Sequence, residues 1–358
     1  MVDVYRRLAR RLDEMPNRFP ATESGVELKI LRKIFTPQEA ETWLRMKTTP
    51  ETVEQVADRL GRPVPEVQDR LDTMVKKGQI GSFKLLGQQI YAAFPFLPGI
   101  YEFQSERMDE ELARLIEEYY PRIMSCLGSY EPRLIRTIPV RAGIRAEQQV
   151  LLHEDVRRMI KEAKCFQLVE CLCRKQMGLL GKPCRHKLET CLMFSSEEDA
   201  FLKYTRGRLV SKEDALEVVE DAGGDGLVHL TVNVQSNPVM FLCNCCPCCC
   251  IGLRAVRNLE APYLMAGSGF VCRVDAEACS SCGVCADRCP MDAIVEEPSG
   301  YRVLGERCIG CGVCTSTCPS DAMTLVRMHG GQYEKPPANL MEFDTMRAAG
   351  RAGAMLLR

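Results

Sequence analysis

The residues in this chain most able to do chemistry are its cysteines, and eight of them follow one rule. Cys279-x2-Cys282-x2-Cys285-x3-Cys289-Pro290 recurs 29 residues later as Cys308-x2-Cys311-x2-Cys314-x3-Cys318-Pro319. The match extends beyond sulfur. Gly283-Val284 repeats as Gly312-Val313 and Asp292-Ala293 as Asp321-Ala322, which marks an internal duplication. Three thiolates separated by two residues each can wrap one corner of a polynuclear cluster, while glycine lets backbone amides approach the sulfurs. Proline after the fourth cysteine turns the chain toward the other half. A zinc site would use four cysteines in two C-x2-C pairs rather than these paired quartets.

These residues resemble the bacterial two-cluster ferredoxin family, a pseudo-twofold fold of short hairpins and helices in which the fourth cysteine of each quartet serves the opposite cluster. The resemblance covers residues 272–328 and implies two [4Fe-4S] clusters. It assigns Cys279, Cys282, Cys285 and Cys318 to cluster one, and Cys308, Cys311, Cys314 and Cys289 to cluster two. Full cysteine shells leave no open iron, so the implied activity is electron transfer without a catalytic residue.

A second cysteine field precedes the first. Cys165 is followed by Cys171-x-Cys173-x10-Cys184-x6-Cys191, and then by Cys243-Asn244-Cys245-Cys246-Pro247-Cys248-Cys249-Cys250. In a reducing compartment such crowding points to metal rather than to a disulfide framework. Each group has enough thiolates for one cubane, and the second also suits a noncubane cluster bridged by adjacent cysteines. At least one further iron–sulfur cluster is therefore expected here. Spacing does not say which thiolates belong together. Adjacent residues of an extended chain point to opposite sides, so Cys248-Cys249-Cys250 must turn to serve one centre. Arg174, Lys175, Lys182, Arg185 and Lys187 surround the first group, where cations either stabilise thiolates or form a solvated face. The field also resembles the middle part of ferredoxin-domain proteins of anaerobes, which lends it no function.

The rest of the composition narrows the partners. Lys and Arg number 47 against 48 Asp and Glu, which removes a whole-chain electrostatic argument for nucleic acid or an anionic membrane. All 21 cysteines lie from Cys126 onward, so the N-terminal third does other work. The opening MVDVYRRLARRLDEM is charged and amphipathic and does not read as a secretory signal. With no apolar run near the roughly 18 residues of a membrane span, a cytoplasmic protein is expected.

The elements that must position the cysteines read as a multidomain α+β chain. We expect a winged-helix-like domain over 1–97, a helical linker region over 98–150 and a cysteine-rich iron–sulfur domain over 151–265. A dicluster ferredoxin domain over 266–332 and a C-terminal tail over 333–358 follow. Thr36-Pro37, Thr49-Pro50 and Val64-Pro65 each place proline at a first helical position, and Gly61 and Gly78 stop the second and third helices. Strands 82–86 and 89–94 flank a Gly87-Gln88 turn. This order resembles a winged helix-turn-helix, yet the would-be recognition helix, 65–77, balances Glu66, Asp69 and Asp72 against Arg70, Lys76 and Lys77. A neutral helix neutralises few phosphates, so docking or structure is expected and nucleic acid is not.

The helix Met108, Leu112, Leu115, Ile116 leads into a Pro- and Arg-rich connector at 131–145. The middle domain then reads as a helix at 153–164, a strand over 166–173 and a helix capped by Ser211. A strand over 227–234 carries His229 as a structural residue. No dinucleotide fingerprint, P-loop or nucleophile elbow appears, which places any such site in a partner. The leading reading is an electron-transfer subunit of an oxidoreductase in anaerobic metabolism. The alternatives are a redox-sensing transcription regulator and an enzyme with an open site at the central cluster.

Overall fold

The chain opens with helices α1 (Val4–Glu14), α2 (Val26–Ile34), α3 (Pro37–Arg45), α4 (Val53–Leu60) and α5 (Val64–Lys76), then a hairpin of β1 (Gly81–Leu85) and β2 (Gln88–Ala92). The computed structural model describes residues 3–356 apart from 141–143, 145–147, 204–205, 260, 262, 299 and 329–332. Thr36 caps α3 through a full capping box with Glu39, a feature that contributes about 1 kcal/mol. Gly61 ends α4 at φ 61°, where a side chain would be strained.

Two details differ from expectation. Thr49-Pro50 does not start a helix: α4 begins at Val53 with Thr52 as cap, because Glu51 instead pairs its backbone with Tyr91. The hairpin turn is Leu86-Gly87 rather than Gly87-Gln88, with Leu85 opposite Gln88. Both turn residues have positive φ, as a two-residue turn matching strand twist requires.

A short irregular helical stretch at 96–107 leads to α6 (Glu110–Leu127), which packs on α2 and on two later helices of the central unit. This region is therefore no loose linker. Phe19, Phe96 and Tyr119 stack between the first helices and α6, with ring centroids 4.7 and 5.1 Å from Phe19. One apolar core runs from Leu8 through Trp43 and Tyr119 to Leu242 and Phe343, so the N-terminal and central units share it. Each large side chain buried in it contributes roughly 2 kcal/mol of hydrophobic stabilisation.

The central unit contains β3 (Ile135–Ile138), α7 (Val156–Glu162), β4 (Cys165–Glu170), α8 (Leu172–Leu179), β5 (Glu189–Ser195), β6 (Arg208–Val210) and α9 (Lys212–Gly224). It continues with β7 (Val228–Val232), β8 (Val239–Cys245), α10 (Ile251–Asn258) and β9 (Met265–Ala266). Their strands form one sheet in the order β6-β4-β5-β8-β7-β3-β9. The expected connector thus supplies a sheet strand, β3, and its residues 141–143 and 145 lie outside the described residues. Past β3, Val140 donates to the Cys311 carbonyl, and Gln148 bonds Leu325 and Arg327, so the segment clasps the C-terminal unit. The strand expected to reach residue 173 ends at Glu170, because Cys171 becomes the cap of α8. His229 is buried and bonded through Nδ1 to Asn244.

The C-terminal unit comprises β10 (Phe270–Val274), α11 (Val284–Arg288), β11 (Ile294–Glu297), β12 (Gly300–Val303) and β13 (Met323–Arg327). The segment expected as a tail is instead helix α12 (Leu340–Leu356). Its Arg347 is fully buried and donates to the Leu127 and Pro132 carbonyls, satisfying the C-terminal end of α6. No described helix is long and apolar enough to cross a membrane.

Candidate metal centres

The duplication is visible in the backbone. Ser281, Gly283 and Asp292 have φ of 55°, 79° and 49°, and their repeats Gly310, Gly312 and Asp321 have 64°, 76° and 51°. The strands pair across halves: β10 with β13 and β11 with β12, in equivalent registers. A cavity at the centre is lined by Cys289, Cys308, Cys311 and Cys314, the four residues assigned above to cluster two. Residues 278–323 match the 4Fe-4S dicluster domain family. Comparison with curated proteins and with solved structures gives no match.

Around these sulfurs the protein supplies amide donors, as where Ala293 N donates to Cys289 Sγ. Burial pushes the Cys285 thiol up to about 11 and those of Cys289, Cys308 and Cys311 upward too, while Cys314 is raised first by its bond to Cys272 and then by burial, so a bound cation would favour their thiolates. At Cys318, burial pushes upward but is outweighed by the Ser320 hydroxyl and the amides of Ser320, Ala322 and Met323, which lower it. On the cluster-one side Cys285 is buried, Cys279 and Cys318 are half-buried, and Cys282 is exposed. Sequence reasoning missed Cys272 on β10. Its sulfur lies 3.4 Å from that of Cys314 and lines the same cavity, but it falls outside the repeating pattern.

Gly310 shows how tightly this unit is closed. With φ 64°, a Cβ there would collide with the Phe270 carbonyl and the Ser268 hydroxyl. We expect Gly310→Ala to cost several kcal/mol and to remove about one cubane of iron from the purified chain, measured by iron analysis and thermal melting.

In the central field the structure regroups the cysteines. Cys171, Cys173, Cys250, Cys245, Cys243 and Cys191 form a closed ring in which each thiol acts on the next and Cys191 returns to Cys171. Cys184, Cys246, Cys248 and Cys249 form a separate quartet with all four sulfurs within 4.8 Å of one another. Cys184 thus leaves the group in which its spacing placed it. Cys165 belongs to neither, being packed against Ala200 and Phe201.

Strand register and helix caps explain the ring. Leu192 faces Leu242 across β5 and β8, which makes Cys191 and Cys243 the next neighbours. Alternation along β8 puts Cys243 and Cys245 on one side and Asn244 on the other. Cys171 is the cap of α8 and Cys250 the cap of α10, so two helix N-termini aim their amides at the ring. The thiols alternate. Cys171, Cys250 and Cys243 are lowered, Cys243 to about 6, chiefly by their ring neighbours, and the Arg174 and Leu253 amides add to this at Cys171 and Cys250. Cys173, Cys191 and Cys245 are raised by the same neighbours and by burial. Six thiolates cannot ionise together at one place without cations, and one tetrahedral ion accepts only four. The ring therefore fits a polynuclear centre.

Of the five cations near this field, one is internal. Arg174 is 1% exposed and donates to the carbonyls of Lys187 and Asn244 and to Thr190 Oγ1. It stands between the two sites, since the charges of Cys171, Cys191 and Cys246 all act on it. Lys175 pairs with Glu170 and Lys187 with Asp221, while Lys182 and Arg185 are exposed, which is the solvated-face alternative.

The residues covering the ring come from the supposed linker, and sequence reasoning did not single them out. Tyr101 is buried, with its hydroxyl 2.7 Å from Gln176 Oε1 and 3.9 Å from Cys173 Sγ. Glu117 pairs with Arg254, whose guanidinium lies 4.5 Å over the Tyr120 ring. Desolvation pushes the Glu102 carboxyl up to about 8, with the negative charge of Cys243 and Cys250 contributing.

Proposed function

We propose that the chain is an iron–sulfur electron carrier in which electrons move between the six-cysteine centre and the outer ferredoxin cluster by way of the inner one. The observation that carries this reading is a shared apolar cluster. Cys245 and Cys250 of the ring, with Cys243 against them, pack together with Cys289, Cys308 and Cys311 of the cluster-two set around Val228, Leu253 and Val313. Cys289 and Cys308 also contact a second apolar cluster that holds Cys285 and Cys314, with Cys318 packed against it. Such packing excludes water between centres and sets their dielectric surroundings. The order is ring, cluster two, cluster one, and the exposed Cys282 rim is where a partner oxidoreductase of anaerobic metabolism exchanges electrons. Redox titration followed by EPR tests this. Signals of the central centre and cluster two should broaden each other when both are reduced, and independent sharp signals would contradict it.

The N-terminal helices and hairpin act in this reading as a winged-helix-like brace. Lys84 of the hairpin pairs with Asp199 of the central unit, and Arg206 donates to the carbonyls of Val75 and Phe103. On α5, Arg70 is taken by Glu66 at 3.0 Å and the adjoining Lys77 by Glu39 at 2.6 Å. Little positive charge remains for phosphate. We expect no nanomolar binding to duplex DNA at physiological salt by fluorescence anisotropy, and tight, salt-dependent binding would revive the regulator reading.

A further inference from the structure

The quartet Cys184, Cys246, Cys248 and Cys249 differs in scale from every other cysteine set in the chain. Cys184 Sγ lies 3.6 Å from Cys246 Sγ and 3.7 Å from Cys248 Sγ, and Cys248 and Cys249 are 3.7 Å apart. Four thiolates at about 2.3 Å from one ion stand at the corners of a tetrahedron whose edges are about 3.8 Å. A four-iron cubane demands a larger tetrahedron, because each thiolate binds a different iron. Among the described residues, neither ferredoxin quartet closes to within 4.8 Å throughout; cluster two's surrounds a cavity instead.

The local chain is shaped for one ion. Residues 247–249 form a turn between β8 and α10, which re-aims the adjacent sulfurs of Cys248 and Cys249 to the same side, and Cys184 reaches them from the loop after α8. Cys246 and Cys249 are buried, Cys184 is half-buried and Cys248 is exposed. The ligands Cys246 and Cys249 pack with Met177, Ala222 and Leu227, outside the two apolar clusters that join the electron-carrying sulfurs. The Arg174 guanidinium, held in place by the Lys187 and Asn244 carbonyls and Thr190 Oγ1, brings a positive charge beside Cys246 and offsets part of the negative charge of a four-thiolate site.

We propose that these four residues bind a single structural Zn2+ ion, distinct from the iron–sulfur centres. Four thiolates close the coordination shell, and zinc has no redox chemistry to add. The ion's role is positional. The ring residues Cys245 and Cys250 flank the turn that holds three of the ligands, so fixing 246–249 fixes the two ends of that turn against the ring.

The test uses the full-length chain purified without oxygen, and its result is independent of whether the other centres transfer electrons. Zinc analysis should give about one equivalent per chain. Zinc-edge X-ray absorption should show a single shell of four sulfurs at about 2.3 Å with no iron neighbour. Cys184→Ser, dialysed against a chelator, should lose its zinc at least tenfold while keeping its iron, and Cys248→Ser, at the exposed ligand, should do the same with less risk to folding. Absence of zinc from the wild-type chain, a nitrogen or oxygen shell, mononuclear iron in its place, or loss of iron from these variants would overturn the proposal.

Discussion

Joint replacement of Cys171 and Cys173 by alanine should abolish the central iron–sulfur centre and leave the ferredoxin clusters loaded. Both sulfurs belong to the ring, one as the α8 cap and one in the first turn of that helix. Removing them opens the ring at adjacent positions and leaves Cys191 and Cys250 each without one neighbour. The centre's binding free energy is also folding free energy for this unit, because its ligands come from β5, β8 and two helix caps that meet only in the folded state. A loss of several kcal/mol is therefore expected, seen as a fall in thermal midpoint on the order of 10 °C for a chain of this size. Iron analysis and anaerobic calorimetry check both halves of the expectation. Unchanged iron in the variant would show that the ring holds none.

The second large effect is expected at Cys311. It is buried, lines the cluster-two cavity and belongs to the same apolar cluster as the ring residues Cys245 and Cys250. Cys311→Ser should remove or convert cluster two while sparing cluster one, since Cys285 and Cys318 belong to a different apolar cluster from Cys311. In the relay order proposed here, the variant should transfer electrons between the central centre and an external acceptor at least tenfold more slowly, with each remaining centre still reducible. Freeze-quench EPR after rapid mixing with a reductant measures this. An undiminished rate in a variant shown to lack cluster two would place the exit directly at the ring.

The ferredoxin site was legible in the sequence because its chemistry is written in short-range spacing. Eight cysteines, the repeated glycines and the aspartates at positive φ all sit within two copies of one motif. The central field was legible as a cysteine-rich region but not as two groups of thiols. Its partition depends on the Leu192 to Leu242 register and on a turn at 247–249, and both are tertiary facts that no spacing encodes. The role of 98–150 was hidden for a related reason. Tyr101 and Glu117 sit in a segment without motif, and β3 is a four-residue strand whose place between β7 and β9 is set by partners about 100 residues away. The helix starts were better marked at Thr36 and Ser211, where cap and third residue agree, than at Thr49, where the Glu51 pairing with Tyr91 overrides the proline signal.

The central claim is that this chain holds a third iron–sulfur centre, built by the six-cysteine ring, beside the two ferredoxin clusters. Mössbauer spectroscopy with iron and sulfide quantitation, on iron-57-enriched protein purified without oxygen, tests it most directly. Two four-iron clusters account for about eight irons per chain. The account predicts more than that, with a component distinct from the two cubanes that disappears in the Cys171→Ala/Cys173→Ala variant. A total of about eight irons, all in cubanes and unaffected by that variant, would contradict it.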